Sequence, residues 1–347
     1  MERSLGICRQ VYNRTLAERK SAYDERGETL SKYTLNKMLP EWKKEDPQYK
    51  EVFSQTLQEV QERVDLAFKH FFRRVRNGEK PGYPRFKGKG WYDSFTYPQM
   101  GFKLDGNILY LSKIGNVRVK VHREVEGDIK RIIVRRSACK KWYVSITTEC
   151  EDIQIPERPM EHVIGIDVGL SNFATLSDGI TIPNPRFFRL EEKELAKAQR
   201  KLSKATKGSP ERKKATRVVQ RIHERIANKR HNFIHQLSRQ LVDNYSFIAF
   251  EDLNIKNMLQ NHHLGKSISD AAWNMFISAT KYKAESAGSL VALVNPANTS
   301  KMCSRCGLLV EKTLANRTHK CNSCGLVLDR DYNAAINILR LGLQSLG

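Results

Sequence analysis

Apolar residues in the first part of the chain recur at helical spacing. Between positions 50 and 76, Phe53, Leu57, Val60, Val64, Ala67, Phe68 and Phe71 follow one another mostly at steps of three and four. That spacing places them on one face of an amphipathic helix, where they serve as packing core. The pattern predicts helices from residue 1 to about 78, broken at Pro40 and Pro47. From 93 to 150 the period shortens. ILYL (108–111), VRVKV (117–121), IKRIIVRR (129–136) and WYVSITTE (142–149) are short, β-branched and separated by turns such as Asp105-Gly106. They predict antiparallel strands forming a small β-barrel or curled sheet.

Pro156 and Pro159 mark a boundary, after which the pattern changes again. HVIGIDVGL (162–170) reads as a buried strand ending in a tight glycine turn, and NFATLSDGITI (172–182) as a second strand. Residues 191–239 predict a helical hairpin interrupted near Gly208-Ser209-Pro210. Its second arm carries Val219, Ile222, Ile226, Phe233, Leu237 and Leu241 on one face. FIAFEDLN (247–254) is a strand, 271–288 a helix, LVALVNP (290–296) a strand, and DYNAAINILRLG (331–342) a closing helix. Strands alternating with helices in this way predict an α/β layer structure around a mixed sheet.

Charge narrows the class of partner. In 347 residues, 60 Lys and Arg face 38 Asp and Glu, a net charge of +22. Such an excess repels itself, and phosphate backbones are the usual counterweight. Nucleic acid ranks above a merely soluble basic protein or a membrane-surface binder because the basic residues cluster. Residues 73–90 hold seven basic and one acidic residue, among them Arg85 and Lys87, with Tyr83 and Phe86 interleaved. Two prolines and four glycines there favour a loop, and aromatics amid cations suit stacked bases. Residues 191–239 carry fifteen basic and five acidic residues, and Arg217, Arg221 and Arg225 lie off the apolar face at helical spacing. A charged helix face is often only solvated; the net +10 of this stretch favours a nucleic-acid surface. No apolar run is long enough to span a bilayer and the first residues, MERSLGICRQ, lack a signal-peptide core, so a cytosolic address without a membrane partner is the expectation.

Seven cysteines without a secretory signal argue against a disulfide framework. Cys8, Cys139 and Cys150 are scattered, whereas Cys303-x2-Cys306-Gly and Cys321-x2-Cys324-Gly are separated by fourteen residues. Four thiolates in two close pairs suit a tetrahedral, structural Zn²⁺, with iron the less favoured occupant and a redox pair the rival. Glycine after each pair permits the turn that points amide hydrogens at sulfur. Three acids form the other candidate site. Asp167 ends the strand in GIDVG, Glu251 ends the strand in FEDLN, and Asp331 opens the last helix in DRDYN. A carboxylate at the end of an apolar strand is costly unless it binds something, and converging carboxylates make a hard oxygen site for Mg²⁺. For Asp329, Asp331 and Asp252 taken singly, a turn or cap role is the plain alternative. His262-His263 read as a solvated loop pair.

GIDVGLSNFATLSDG, FEDLNIKNM, SISDAAW, TSKMCSRCG and CNSCGLVLDRDYNAAINI, in this order, resemble the RuvC-like region of the TnpB (OrfB) proteins of insertion sequences, relatives of type V CRISPR effectors. YPRFKGKGWYDSFTYP resembles the barrel region that precedes it. The resemblance implies an RNase H-like, RuvC-type nuclease domain. It implies a guide RNA made from the transposon end, a double-stranded DNA target beside a short adjacent motif, and Mg²⁺-dependent cleavage. By motif, Asp167, Glu251 and Asp331 would be the catalytic and Mg²⁺-holding carboxylates; Asp331 is preferred over Asp329 because it stands two residues before Asn333, as in the family's D-x-N motif. Ser54, Gln55, Gln58 and Thr96 fall where members contact the adjacent motif, although ordinary surface polarity explains any one of them. The implied division is a helical recognition region at 1–90, a wedge-like barrel at 91–158, a nuclease domain at 159–300 with its basic hairpin at 191–245, a zinc insert at 301–328 and a final helix at 329–347. A monomer is the expectation. Members normally open with a short strand before the first helix, whereas this chain starts inside that helix. The alternatives are a nuclease-inactive RNA-guided DNA-binding repressor, and a carboxylate-triad strand-transfer transposase, which should carry an end-binding domain such as a helix-turn-helix.

Overall fold

The computed structural model describes residues 1–151, 155, 158–313 and 316–346. It divides into two compact units, Met1–Ile153 and Gln154–Gly347. Pro156 lies outside the described residues.

The first unit begins with helices α1 (Glu2–Arg26), α2 (Lys32–Glu45) and α3 (Ser54–Arg76). A 3-10 turn at Pro47–Glu51 separates α2 from α3, with the Asp46 carboxylate capping it. Leu57, Val60, Val64 and Phe68 of the α3 stripe are buried, against Leu5, Val11 and Leu16 of α1. Pro40 does not break a helix as expected. It sits exposed inside α2 between buried Leu39 and Trp42, and packing of that face carries the helix through the lost hydrogen bond.

Six strands follow: β1 (Ser94–Tyr97), β2 (Phe102–Asp105), β3 (Ile108–Leu111), β4 (Gly115–Arg118), β5 (Asp128–Arg136) and β6 (Trp142–Glu149). β1 and β2 escaped the sequence pattern, and VRVKV is only half strand. The described strands do not close a barrel. β1, β5 and β6 make one antiparallel sheet, and β2, β3 and β4 make a second. The inner meander turns at Asp105-Gly106 and pairs only with itself, while β1 reaches past it to β5.

The second unit holds β7 (Val163–Val168), β8 (Asn172–Leu176), β9 (Thr181–Pro183), α4 (Phe187–Lys204), α5 (Pro210–Asn244), β10 (Phe247–Glu251), α6 (Ile255–Met258), α7 (Gly265–Ala271), α8 (Trp273–Ala287), β11 (Leu290–Val294), β12 (Thr318–Lys320), β13 (Val327–Asp329) and α9 (Arg330–Gln344). The segment expected as one strand at 172–182 is a β8–β9 hairpin, turned by Gly179 at φ 92°. α5 starts where the sequence marks it: the Ser209 hydroxyl accepts from the Arg212 amide, and Pro210 opens the helix.

The five-stranded sheet has the order β11-β10-β7-β8-β9. β11, β10 and β7 are parallel, and β7, β8 and β9 are antiparallel. Side chains alternate across it. Ile164, Ile166, Ile248 and Phe250 face the core shared with Ile234, Leu237 and Leu241 of α5 and Phe276 of α8. Val163, Phe247 and Ala249 face the other way, with Ile338 and Leu339 of α9. Gly165 lets α9 come close: a Cβ there would lie 2.2 Å from the Ala335 carbonyl oxygen and 2.5 Å from the Leu339 nitrogen. Gly165→Ala should therefore destabilise the unit by about 3 kcal/mol through overpacking, lowering its thermal midpoint by roughly 6–12 °C. Gly6→Ala, in open space inside α1, should hold or raise the midpoint; equal effects of the two would show that the α9 contact does not matter.

Candidate carboxylate site and cysteine metal centre

The alternation that builds the sheet also aims the acids. On β10, Phe247 and Ala249 face α9, so Glu251, two residues on, faces it too. On β7, Val163 and Gly165 face α9, so Asp167 does likewise. The register pairs Phe247 with Val163 and Ala249 with Gly165, which brings Glu251 level with Asp167 at the carboxyl ends of adjacent parallel strands. α9 runs back along this face. Gly342 would meet Phe247 and Ala249, and Ala335 lies over Gly165, so the amino end of α9, with Asp331, reaches the carboxyl ends of the strands.

Electrostatics agree with that convergence. Burial pushes the Asp167 carboxyl well above its ordinary value, and the charges of Glu251 and Asp331 push it further, against Arg330. Burial also raises Glu251, opposed by a hydrogen bond from Thr299 Oγ1 to Glu251 Oε1 of 2.5 Å. Asp331 Oδ1 accepts from Arg330 Nε at 3.0 Å and lies 2.8 Å from its Nη2, and Arg317 Nη1 lies 3.6 Å from the other oxygen. Asp329 has a different employment. It caps α9, its Oδ1 accepting from the amides of Asp331 at 2.9 Å and Tyr332 at 3.1 Å. The three acids are more loosely grouped than the cysteines: among the described residues, only the four thiols bring one ligand atom each within 4.8 Å of all the others. An oxygen-only donor set with crowded, partly desolvated charge fits a hard divalent cation such as Mg²⁺.

The cysteines stand on two matching turns. Cys303 N donates to Leu308 O and Gly307 N to Cys303 O; Cys321 N donates to Leu326 O and Gly325 N to Cys321 O. Gly307 and Gly325 have φ of 78° and 70°, the left-handed conformation that glycine tolerates. Sγ–Sγ distances are 3.6 Å for Cys303–Cys324 and 3.5 Å for Cys306–Cys321. A tetrahedron with metal–sulfur bonds of about 2.3 Å has edges of about 3.8 Å, so the four thiols fit one zinc ion. Backbone amides of Cys324 and Ser323 bring the Cys321 thiol down to about 6; thiolates so stabilised are ready ligands.

The residues expected at nucleic acid lie in varied surroundings. Ser54 and Gln58 are exposed on α3, and Gln55 is half-buried. Thr96 is 1% exposed, its Oγ1 accepting from Arg63 Nη2 at 2.8 Å; it is a core residue of the α3–β1 contact and offers no open surface. Arg85 is exposed, whereas Lys87 is pinned by Asn13, which bonds both its amide and its carbonyl. Arg217 and Arg221 are exposed on α5. Arg225 pairs with Glu191 at 3.1 Å across the hairpin. His262 and His263 are exposed.

Sequence reasoning missed Thr299 and Asn337 of α9, and used Asn333 only as part of the D-x-N motif. Asn333 Nδ2 donates to Met302 O at 2.8 Å, and Asn333 Oδ1 accepts from Ser304 N at 3.0 Å. The legible signal was Asn333 and Asn337, two amides at i and i+4 within an alanine- and isoleucine-rich face.

A protein of Escherichia coli K12 named putative RNA-guided DNA endonuclease InsQ is 34% identical over 99% of this chain and 88% of its own length. The chain belongs to the TnpB (OrfB) family. Another TnpB-type relative, the putative RNA-guided DNA endonuclease of Streptomyces pristinaespiralis, is 36% identical over 99% of this chain and 85% of its own. Residues 145–262 match the OrfB family described as a probable transposase, and 273–338 match a Cas12f1-like TNB domain. Residues 1–28 match a family described as a helix-turn-helix domain, which the sequence reading did not find; they form the single helix α1 and the turn at Gly27. A cryo-EM structure of a Cas12f1–sgRNA–target DNA complex aligns over 97% of this TnpB chain and 93% of that one, at 16% identity and a TM-score of 0.39.

Two outcomes follow for these sites. Cys303→Ser should reduce zinc from one ion per chain to well below it and lower the thermal midpoint; unchanged zinc by mass spectrometry under native conditions would remove Cys303 from the ligand set. Asp329→Ala should cost about 1 kcal/mol by removing a helix cap, with Asp329→Asn close to wild type in chemical denaturation.

Proposed function

We propose that this protein is an RNA-guided DNA endonuclease whose RNase H-like, RuvC-type domain cuts with divalent metal held by Asp167, Glu251 and Asp331. The observation that carries the reading is the placing of Asp167 and Glu251 side by side at the carboxyl ends of β7 and β10, on the face reached by the amino end of α9. The mixed sheet, with an antiparallel hairpin on one side of β7 and two parallel strands on the other, supports the RNase H-like assignment. Relatives named RNA-guided DNA endonucleases, similar over nearly their full lengths, support the choice of substrate.

Mg²⁺ at these carboxylates would polarise a phosphodiester and lower the pKa of an attacking water. The chain's own part is to hold oxygen ligands in fixed positions and to lay the backbone across them. Exposed Arg217 and Arg221 on α5 and the cations of residues 73–90 would attract phosphates without regard to sequence. Guide pairing would supply sequence choice. The Cys303, Cys306, Cys321 and Cys324 zinc would be structural, because four protein thiolates leave no open position. The repressor reading expects a lost acid, and all three are present. The helix-turn-helix match favours the transposase reading on name alone, since residues 2–26 are one continuous helix.

The deciding experiment uses the full chain with the RNA that copurifies with it and a DNA duplex matching that RNA. Asp167→Ala should reduce cleavage below detection while changing duplex binding less than about threefold. Parallel loss of binding and cleavage would refute the ligand role. Binding by both proteins should fall steeply as salt rises from 50 to 200 mM, by about 10³-fold or more for six phosphate contacts.

A further inference from the structure

The segment from Thr299 to Ser304 touches both sites. It leaves the carboxyl end of β11 and enters the first cysteine turn. Thr299 is 3% exposed, and its hydroxyl proton is directed at Glu251 Oε1 at 2.5 Å, with Pro296 O farther away at 3.2 Å. The Thr299 carbonyl in turn accepts from Asn337 Nδ2 at 2.9 Å, and the same amide donates to Met302 O at 2.7 Å. Asn333, one turn earlier on α9, donates to Met302 O and accepts from Ser304 N. Two amides on one helix face thus fasten residues 299, 302 and 304 around Cys303.

This fastening has an energetic cost that packing alone does not explain. Asn333 and Asn337 are fully buried, and Asn337 Oδ1 has no hydrogen-bond partner among the described residues. A buried, unsatisfied amide oxygen destabilises relative to an apolar side chain of similar volume. What the amides provide is a fixed position for the segment between β11 and Cys303, and hence for the hydroxyl aimed at Glu251.

We propose that Thr299, fixed by Asn337, is a positioning residue that sets the orientation of the Glu251 carboxylate and ties it to the first cysteine turn. The proposal rests on the reading of Glu251 as a metal-holding carboxylate. Without the hydroxyl, Glu251 gains rotamers, and the cation meets a less organised ligand. The threonine acts through the Glu251 oxygen that accepts its hydroxyl proton.

The test compares Thr299→Val, Thr299→Ser, Asn337→Leu and Glu251→Gln in the full chain with its copurifying RNA and the matching duplex. Four quantities are read: the Mg²⁺ concentration for half-maximal cleavage, Mn²⁺ binding by paramagnetic resonance, duplex binding, and zinc per chain. Thr299→Val should raise the Mg²⁺ requirement about fivefold or more and weaken Mn²⁺ binding comparably, with duplex binding and zinc unchanged; Thr299→Ser should restore both. Asn337→Leu should shift the Mg²⁺ requirement in the same direction, and a wild-type response would remove it from the relay. A Thr299→Val protein that matches wild type at every Mg²⁺ concentration, while Glu251→Gln is inactive, overturns the positioning role and leaves the nuclease reading intact. Loss of duplex binding or zinc in Thr299→Val makes it a folding residue and also overturns the role. A Glu251→Gln protein that cuts normally overturns the nuclease reading itself.

Discussion

Two carboxylates at the ends of neighbouring parallel strands are the constraint around which the second unit is arranged. Side-chain alternation gives β7 and β10 no choice: if Ile166 and Phe250 enter the core shared with α5 and α8, Asp167 and Glu251 must turn to the α9 side. Like charges there, partly removed from water, raise each other's energy. Cationic and hydroxyl groups nearby offset this. Arg330 faces the site from the first turn of α9 and Thr299 from the end of β11. The glycine at 165 answers the same constraint, because α9 reaches the acids only by lying almost on the backbone of β7.

The cysteine region depends on the same helix for a different reason. Its core consists of Cys303, Cys321 and Leu326, with Val310, Cys324 and Leu328 packed beside them. That is little apolar area for a segment of this length, and a metal held by the four thiols would add to its order. Such a metal would fix the two turns to each other but not to the rest of the unit. Asn333 and Asn337 do that for the first turn, and the β12–β13 hairpin, which leads directly into α9, does it for the second. The cysteine cluster and the acids at the ends of β7 and β10 are thereby attached to one 15-residue helix.

Much of this was legible because local chemistry and global position coincide. Gly208-Ser209-Pro210 reads as a stop and a helix start, and the same residues cap α5. Cys-x2-Cys-Gly repeated after fourteen residues needs no fold to be understood, since each turn makes its own hydrogen bonds. Asp167 and Glu251 stand out by the apolar runs before them, whereas Asp331 is singled out only by the resemblance. What the pattern could not give was pairing. Four-residue strands such as β1 and β2 carry too few alternations to register, and whether six short strands close a barrel depends on which edges meet. Pro40 was misread because propensity is local, whereas Leu39 and Trp42 hold α2 through tertiary packing. The burial of Thr96 was not legible because a threonine on a short strand gives no sign of Arg63 reaching it from α3.

The charge pattern has a further consequence for how such a protein could select a target. Of the hairpin's cations, Arg225 and Lys229 are engaged by Glu191, so the fifteen basic residues of that stretch are not equally open to a partner, and its net +10 already counts the opposing acids. Those pairs join α4 to α5, beside the apolar contact of Leu195 with Ile222 and Ile226. Arg217 and Arg221 are exposed, and their charge attracts polyanions without regard to sequence. The carboxylate site opposes that attraction locally: a phosphate approaching Asp167, Glu251 and Asp331 meets negative charge unless a cation lies between. On the proposed reading, broad attraction combined with local repulsion would favour backbone held along the basic surfaces and would admit it to the acids only with metal present. Discrimination among sequences must then arise outside these electrostatics, which is the division of labour expected when base pairing with a guide does the reading.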